Sequence, residues 1–205
     1  VYEPHRPFEP SSAHTTASRT ESGYRIDGVK DRVEAGTQAD LFLVVAESDG
    51  ALRQFLVPAD APGVSVTTQK SVDLVKTYAR VQFDGVDIDA SAVLGSAEQT
   101  GAVIERQRPG ALILQGAELV GTLDAVLAMT TQWLLDRHSF GRPLASYQAL
   151  KHRFADMKTQ LEACRAIAAR AAREVGARAA SAGLTVSAAK AYICEYSVAI
   201  APDCI

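Results

Sequence analysis

Several common signals are missing from this 205-residue chain, and each absence removes a class of function. Cysteine is scarce and odd in number. Cys164, Cys194 and Cys204 fit no metal-ligand spacing, so they read as small buried apolar side chains in a reducing compartment. Neither charge sign dominates: 21 Lys and Arg stand against 24 Asp and Glu, a net charge of −3. That balance gives no electrostatic case for nucleic acid or anionic lipid as a partner. No uninterrupted apolar run reaches the roughly 18–20 residues of a membrane span, and no secretory leader is visible. The expectation is a cytoplasmic protein with no membrane or nucleic-acid partner. His138 and His152 come without a serine or cysteine nucleophile pattern, no metal site is expected, and no internal repeat appears. The chain opens on Val1 and stops at Ile205 without an obvious cap, which reads as a piece of a longer polypeptide.

What is present divides by period. From Gly23 to about Gly95 the pattern is strands and turns. "YRIDGVK" alternates around an Asp-Gly pair that signals a hairpin, and "ADLFLVVAE" is a nearly continuous apolar run expected of a strand buried on both faces. "LRQFLVPAD", "GVSVTTQ" and "ARVQFDGVDID" add strands separated by Pro, Gly and Asp, while residues 1–22, rich in Pro, Ser and Thr, read as loop. After Gly95 apolar residues recur at helical spacing. One helix is expected from about Ala102 to Leu135, its middle interrupted only by Glu118 and Asp124 and so buried on most sides. A second runs from about Ser146 to Val175 with Leu150, Phe154, Met157, Leu161 and Cys164 on one stripe. A third begins near Val186, with Gly183 in the connection. Arg170, Arg173 and Arg178 interleave with Glu162 and Glu174, the mark of a solvated helix face. The fold class is therefore α+β: an antiparallel β-sandwich or barrel over residues 1–97, then a helical bundle over residues 98–205.

Between the first two helices lies "DRHSFGRPLASYQALKHRFADM", from Asp136 to Met157. Two readings fit it. Arg137 offsets the negative end of the preceding helix while Gly141 and Pro143 stop it. Alternatively, an arginine fork, an aromatic and a permissive glycine hold a charged, planar ligand.

Three stretches in order resemble the acyl-CoA dehydrogenase family. "SGYRIDGVKDRVEAGTQADLFLVVAE" is similar to its middle-domain hairpin, "VQFDGVDIDASAVLG" to the exit from that domain into the first C-terminal helix, and the Arg137 segment to its Arg-x-x-Phe-Gly-x-Pro, Gln, Ala-Asp-Met signature. The resemblance implies FAD as cofactor, an acyl-CoA thioester as substrate, and oxidation of its α,β-bond with an electron-accepting flavoprotein downstream. It implies a dimer or tetramer of homologous subunits, an N-terminal helical domain before Val1 and two helices after Ile205. In the family the Arg-x-x-Phe-Gly segment reaches FAD held by the neighbouring subunit. Carried over, Arg137 meets the pyrophosphate, Ser139 adds a hydroxyl, Phe140 packs on adenine, Gly141 turns the chain and Gln148 lies near the same half of the cofactor.

The flavin-ring side departs from the pattern. Tyr2 stands where the family has a threonine before Glu-Pro, Arg32 where it has a tryptophan, and Glu34 where it has a threonine. "HRPFEPSSAH" replaces a glycine-rich turn. Read locally, Arg32 and Glu34 form a surface pair on a strand. No catalytic base is assigned: the helix position some relatives use is Ala111, and Glu105 and Glu118 are the nearest carboxylates. These departures resemble the mixed oligomers in which some actinobacteria dehydrogenate steroid side-chain acyl-CoAs. A self-sufficient homotetramer and a flavin-free structural paralogue are the rival readings.

Overall fold

The computed structural model of the chain describes residues 2–6 and 11–204. It contains two compact units, Val1–Glu105 and Arg106–Ile205. The first is a β unit, the second helical, and the class is α+β.

The β unit is a seven-stranded sheet made of β1 (Thr16–Arg19), β2 (Gly23–Glu34), β3 (Leu41–Ser48), β4 (Ala51–Pro58), β5 (Val64–Gln69), β6 (Tyr78–Asp89) and β7 (Val93–Leu94), in the order β5-β6-β2-β1-β3-β4-β7. Pairing is antiparallel except for one parallel bridge, Thr16 with Glu47 between β1 and β3. The sheet curls over its own apolar face. Tyr24 of β2 meets Phe55 of β4 edge-on at 5.2 Å, and Phe42 of β3 meets Phe83 of β6 at 6.5 Å, though neither pair of strands is adjacent. Period-2 alternation puts Ile26, Val44, Ala46, Val57, Val81 and Val86 on that same closed face.

Three local expectations are corrected here. Residues 16–19, read as loop, form β1, because their backbone groups find partners on β2. Asp27-Gly28 does not turn a hairpin. It sits inside β2, where the register against β6 shifts between Ile26 and Gly28, so the pair marks a bulge. β3 is buried on one face only: Phe42, Val44 and Ala46 face the core, while Leu41 and Leu43 are about half exposed.

The helical unit holds most of α1 (Ala97–Asp136), a short hairpin of β8 (His138–Ser139) and β9 (Arg142–Pro143), α2 (Gln148–Gly176) and α3 (Ala182–Asp203). The α2 stripe is Met157, Leu161, Cys164, Ala168 and Ala171. It meets Ile113, Val120, Leu123 and Leu127 of α1 and Val186, Ala189, Ile193 and Ile200 of α3. Glu174 fastens the end of α2 to α3: it accepts hydrogen bonds from Thr185 Oγ1 at 2.6 Å, Arg170 Nε at 2.8 Å and Ser181 Oγ at 2.9 Å. Those three donors, Thr185 foremost, hold its carboxyl down to about 2. Gly183 lies inside the first turn of α3 rather than in the connection, since the helix starts four residues before Val186. Cys164 is buried, Cys194 and Cys204 are half-buried, and all three are free.

α1 departs most from expectation. It is not buried on most sides: Leu114, Met129, Trp133 and Leu135 are all more than half exposed. Two helices in the same unit can cover only one face of a cylinder. The helix is also long and apolar enough, by length and composition alone, to span a bilayer, a property that a search for uninterrupted runs does not register.

Candidate functional site

The segment from Arg137 to Gln148 is a built structure. α1 ends at Asp136, and Arg137 closes it with a backbone hydrogen bond to the Trp133 carbonyl at 2.9 Å. Its own carbonyl then accepts from Leu144 N at 2.8 Å, so the chain must double back between the two. It does so as the β8–β9 hairpin, with Ser139 opposite Arg142 and Phe140-Gly141 as the two-residue turn. Both turn residues have positive φ, 52° at Phe140 and 76° at Gly141, which is what a tight I′ hairpin requires. Gly141 adopts this at no steric cost. Phe140 does not, because a bulky L-residue in the left-handed region is strained by about 1–2 kcal/mol.

Two contacts brace the hairpin from below. Tyr147 Oη donates to the Ser139 carbonyl at 2.9 Å, and the Arg142 guanidinium lies 3.9 Å from the Tyr147 ring centroid. Neither Tyr147 nor Arg142 stood out in the sequence; the signal was an aromatic eight residues beyond Ser139, at the start of the next helix. On this frame Phe140 is 96% exposed. A strained, solvent-facing aromatic on a rigid tip gains nothing within its own unit.

Each carried-over residue can be located. Arg137 is exposed at the helix end, and among the described residues its guanidinium has no ion-pair or hydrogen-bond partner. Ser139, Phe140 and Gly141 lie in the hairpin that follows it. Gln148 is the first residue of α2, with its amide within 3.0 Å of His152 Nε2 one turn on. The structure thus brings Arg137 to Gly141 together on one projection and sets Gln148 at the hairpin's foot, directly after the bracing Tyr147. Ala111, Glu105 and Glu118 are all exposed on α1.

The β unit carries a second polar constellation that the sequence did not announce. Glu3 is buried, and its carboxylate accepts four hydrogen bonds: from Lys30 Nζ at 2.7 Å, His14 N at 2.8 Å, Thr15 Oγ1 at 2.9 Å and Thr15 N at 3.0 Å. Burial pushes the carboxyl up, but Lys30, Thr15 and His14 together outweigh it and bring it to about 2. Lys30 answers differently. Burial lowers its ammonium more than Glu3 raises it, so the two ends of one ion pair point to opposite balances. The four donors on Glu3 settle that the pair is ionised. Lys30 could have been suspected as the last residue of Gly28-Val29-Lys30, lying on a strand with apolar neighbours.

Beside it, Arg32 and Glu34 do not pair with each other as expected. Arg32 turns to positive φ (53°) and lays its guanidinium 4.3 Å from the Tyr2 ring centroid, while Glu34 binds Lys76 Nζ at 3.1 Å. The bulge in β2 between Lys30 and Val33 is the cause, since it rotates Arg32 out of the strand's alternation. Of the stretch that replaces the glycine-rich turn, residues 7–10 lie outside the described residues.

The comparisons with known proteins agree with one another. The family model for the acyl-CoA dehydrogenase middle domain matches residues 3–86, and that for the acyl-CoA dehydrogenase C-terminal domain matches residues 110–205. An acyl-CoA dehydrogenase of Mycobacterium tuberculosis is 34% identical over 68% of this chain and 36% of its own length. Among solved structures, PigA with FAD and proline aligns at a TM-score of 0.89 and 26% identity, over 100% of this chain and 55% of that one. The ChsE4-ChsE5 complex from Mycobacterium tuberculosis aligns at 0.76 and 28% identity, over 94% and 53%. The chain spans about half the length, or less, of these proteins.

Proposed function

The chain belongs to the acyl-CoA dehydrogenase family, and from that membership we propose that it is a subunit of an FAD-dependent enzyme that lends its hairpin to a neighbouring subunit's cofactor. Members of the family are FAD-dependent, and PigA was solved with FAD bound. When bound, FAD supplies the hydride acceptor for forming an α,β-double bond in an acyl-CoA. This chain's own residues supply recognition. Arg137 offers a planar, permanently charged fork suited to a pyrophosphate. Phe140 offers an aromatic face for the adenine, Ser139 a hydroxyl, and Gly141 the turn that presents them, with Gln148 at the base. One observation carries the reading: a strained, bare phenylalanine stands at the hairpin's tip, three residues after an exposed arginine that has no side-chain ion-pair or hydrogen-bond partner among the described residues.

The finer reading is a mixed assembly acting on a steroid side-chain acyl-CoA in the cytoplasm, passing electrons to another flavoprotein. It is supported by the departures at Tyr2, Arg32 and Glu34, by a two-chain complex among the similar structures, and by three unpaired cysteines suited to a reducing compartment. The helix position where some relatives carry the carboxylate that takes the α-proton is Ala111 in this chain, so that carboxylate comes from elsewhere in the assembly, either from the position most relatives use, after Ile205, or from a partner.

The test is Arg137→Ala in the assembled enzyme. Loss of a charged hydrogen-bond partner costs roughly 1.5–3 kcal/mol, so FAD affinity should fall about ten- to a hundred-fold. Affinity measured by fluorescence titration of the apo-assembly and found unchanged would reduce Arg137 to a helix-end charge.

A further inference from the structure

We infer that the β unit of this chain seats no flavin ring of its own and closes that place with its own side chains. The inference rests on the family reading but not on the hairpin, since it is drawn entirely from β2 and the residues beside it.

The two stretches that the resemblance assigns to the ring do come together in space. Tyr2 forms an isolated antiparallel bridge with Asp31, whose N–H donates to the Tyr2 carbonyl at 2.9 Å. What they bring there is the wrong chemistry for a flavin. A flavin's flat tricycle needs an apolar plane to lie on, and its pyrimidine edge of carbonyls and ring nitrogens needs hydrogen-bond donors. At the first position stands Arg32, bulged out of the strand and already stacked on Tyr2. At the second stands Glu34, an acceptor without a proton to give, held by Lys76.

The surrounding groups are also committed. Arg32 N–H donates to Gln69 Oε1 at 2.9 Å, and Gln69 Nε2 donates to Asp31 Oδ1 at 2.8 Å. Arg80 Nε reaches the same Asp31 oxygen at 3.2 Å, and the Arg32 guanidinium donates to the Arg6 carbonyl at 3.5 Å. A ring entering here would have to part the Tyr2–Arg32 stack and take the guanidinium out of water with no anion to meet it, which is costly for any cation. The chain is thus asymmetric toward the cofactor: one unit offers an arm, and the other has filled its own seat.

The experiment is a flavin count on the full-length protein, purified alone and in its native assembly. FAD is released by denaturation, measured by absorbance and divided by the moles of this chain and of any partner. The lone protein should retain no FAD, and it should not quench the fluorescence of added FMN, which carries the ring without the adenine. The native assembly should hold fewer FAD than chains. Arg32→Ala should leave both results unchanged, because it restores no apolar plane and Glu34, held by Lys76, still stands in the donor's place. An assembly holding one FAD for every chain overturns the inference. So does FMN quenching by the lone protein that Arg32→Ala abolishes, which would make Arg32 a flavin contact. The hairpin reading fails separately: FAD present at less than one per chain but indifferent to Arg137→Ala would sink the arm and leave this inference standing.

Discussion

In the β unit the core aromatics meet one another, Tyr24 on Phe55 and Phe42 on Phe83, and the sheet wraps around them. In the helical unit the single tryptophan, Trp133, stands 61% exposed, with Leu114, Met129, Leu184 and Val198 more exposed still. Both units own a contiguous core. Both also expose large apolar side chains: Val72, Leu74 and Val75 between β5 and β6 in the β unit, and Leu114, Met129, Trp133 and Leu135 on α1 with Leu184 and Val198 on α3 in the helical one. A strand buries one side and can leave the other polar, whereas α1 is apolar around most of its circumference and needs neighbours on several sides. Its apolarity is sufficient by length and composition for a bilayer, and the helical unit covers only part of it.

Mutation can sharpen that contrast. The largest effect should come from the β unit's buried pair. Lys30→Met leaves the Glu3 carboxylate buried without its cation, and breaking such a pair from one side costs about 3–5 kcal/mol. Urea denaturation of the full protein should show an early transition with loss of strand signal. A melt like that of the unaltered protein would mean that Thr15 and His14 alone satisfy Glu3.

The same carboxylate can be read by titration, together with Glu174 as its counterpart in the helical unit. Both are held at about 2, against an ordinary value of 4.5. A depressed carboxyl adds stability that is complete above its unfolded value and is lost as pH falls through its folded one. Each unit should therefore weaken from about pH 4.5 toward pH 2. Circular dichroism across that range should show Glu174→Gln flattening the helical part of the acid limb. An unaltered limb would mean that Thr185, Ser181 and Arg170 do not stabilise the charged form.

Next in size is a matched pair of leucines. Leu161, fully buried on α2, should cost about 2–5 kcal/mol on replacement by alanine. Leu114, 72% exposed on α1, should cost the isolated chain no more than about 0.5 kcal/mol yet weaken its association. Thermal melts and sedimentation velocity separate the two effects. A Leu114→Ala protein that assembles as before would show that this row of α1 faces water throughout.

The smallest effect has the opposite sign. Phe140→Asn creates the Asn-Gly pair that an I′ turn favours and relieves the left-handed phenylalanine, so the fold should gain up to about 1 kcal/mol. FAD retention by the assembly should fall at the same time. A variant that is steadier and holds FAD equally well would leave Phe140 with no role.

The α+β order and the extents of α2, β4, β5 and β6 were legible because period and turn residues agreed along each of them. Asp27-Gly28 misled because a hairpin turn and a bulge use the same pair of residues, and only the partner strand β6 distinguishes them. α1 misled because periodicity counts apolar residues without asking whether the same chain can cover them. The hairpin residues were singled out through resemblance, since nothing local separates a helix stop from a ligand arm, and no period or turn pair in the segment announced the hairpin itself. Glu3 and Lys30, far apart in sequence, carry no shared period, and their pairing appears only once β2 and the start of the chain are side by side.

Gly28 sets a limit on how this sequence can drift. At φ 147° a Cβ would stand 2.7 Å from the Thr15 Cα, and Thr15 supplies two of the donors on Glu3. Any larger residue must push β1 aside and loosen that carboxylate from its cage, so one codon governs a contact it does not make. Random substitution at this position should be purged in a functional selection, while its neighbour Val29, half-buried, should accept a range of apolar residues.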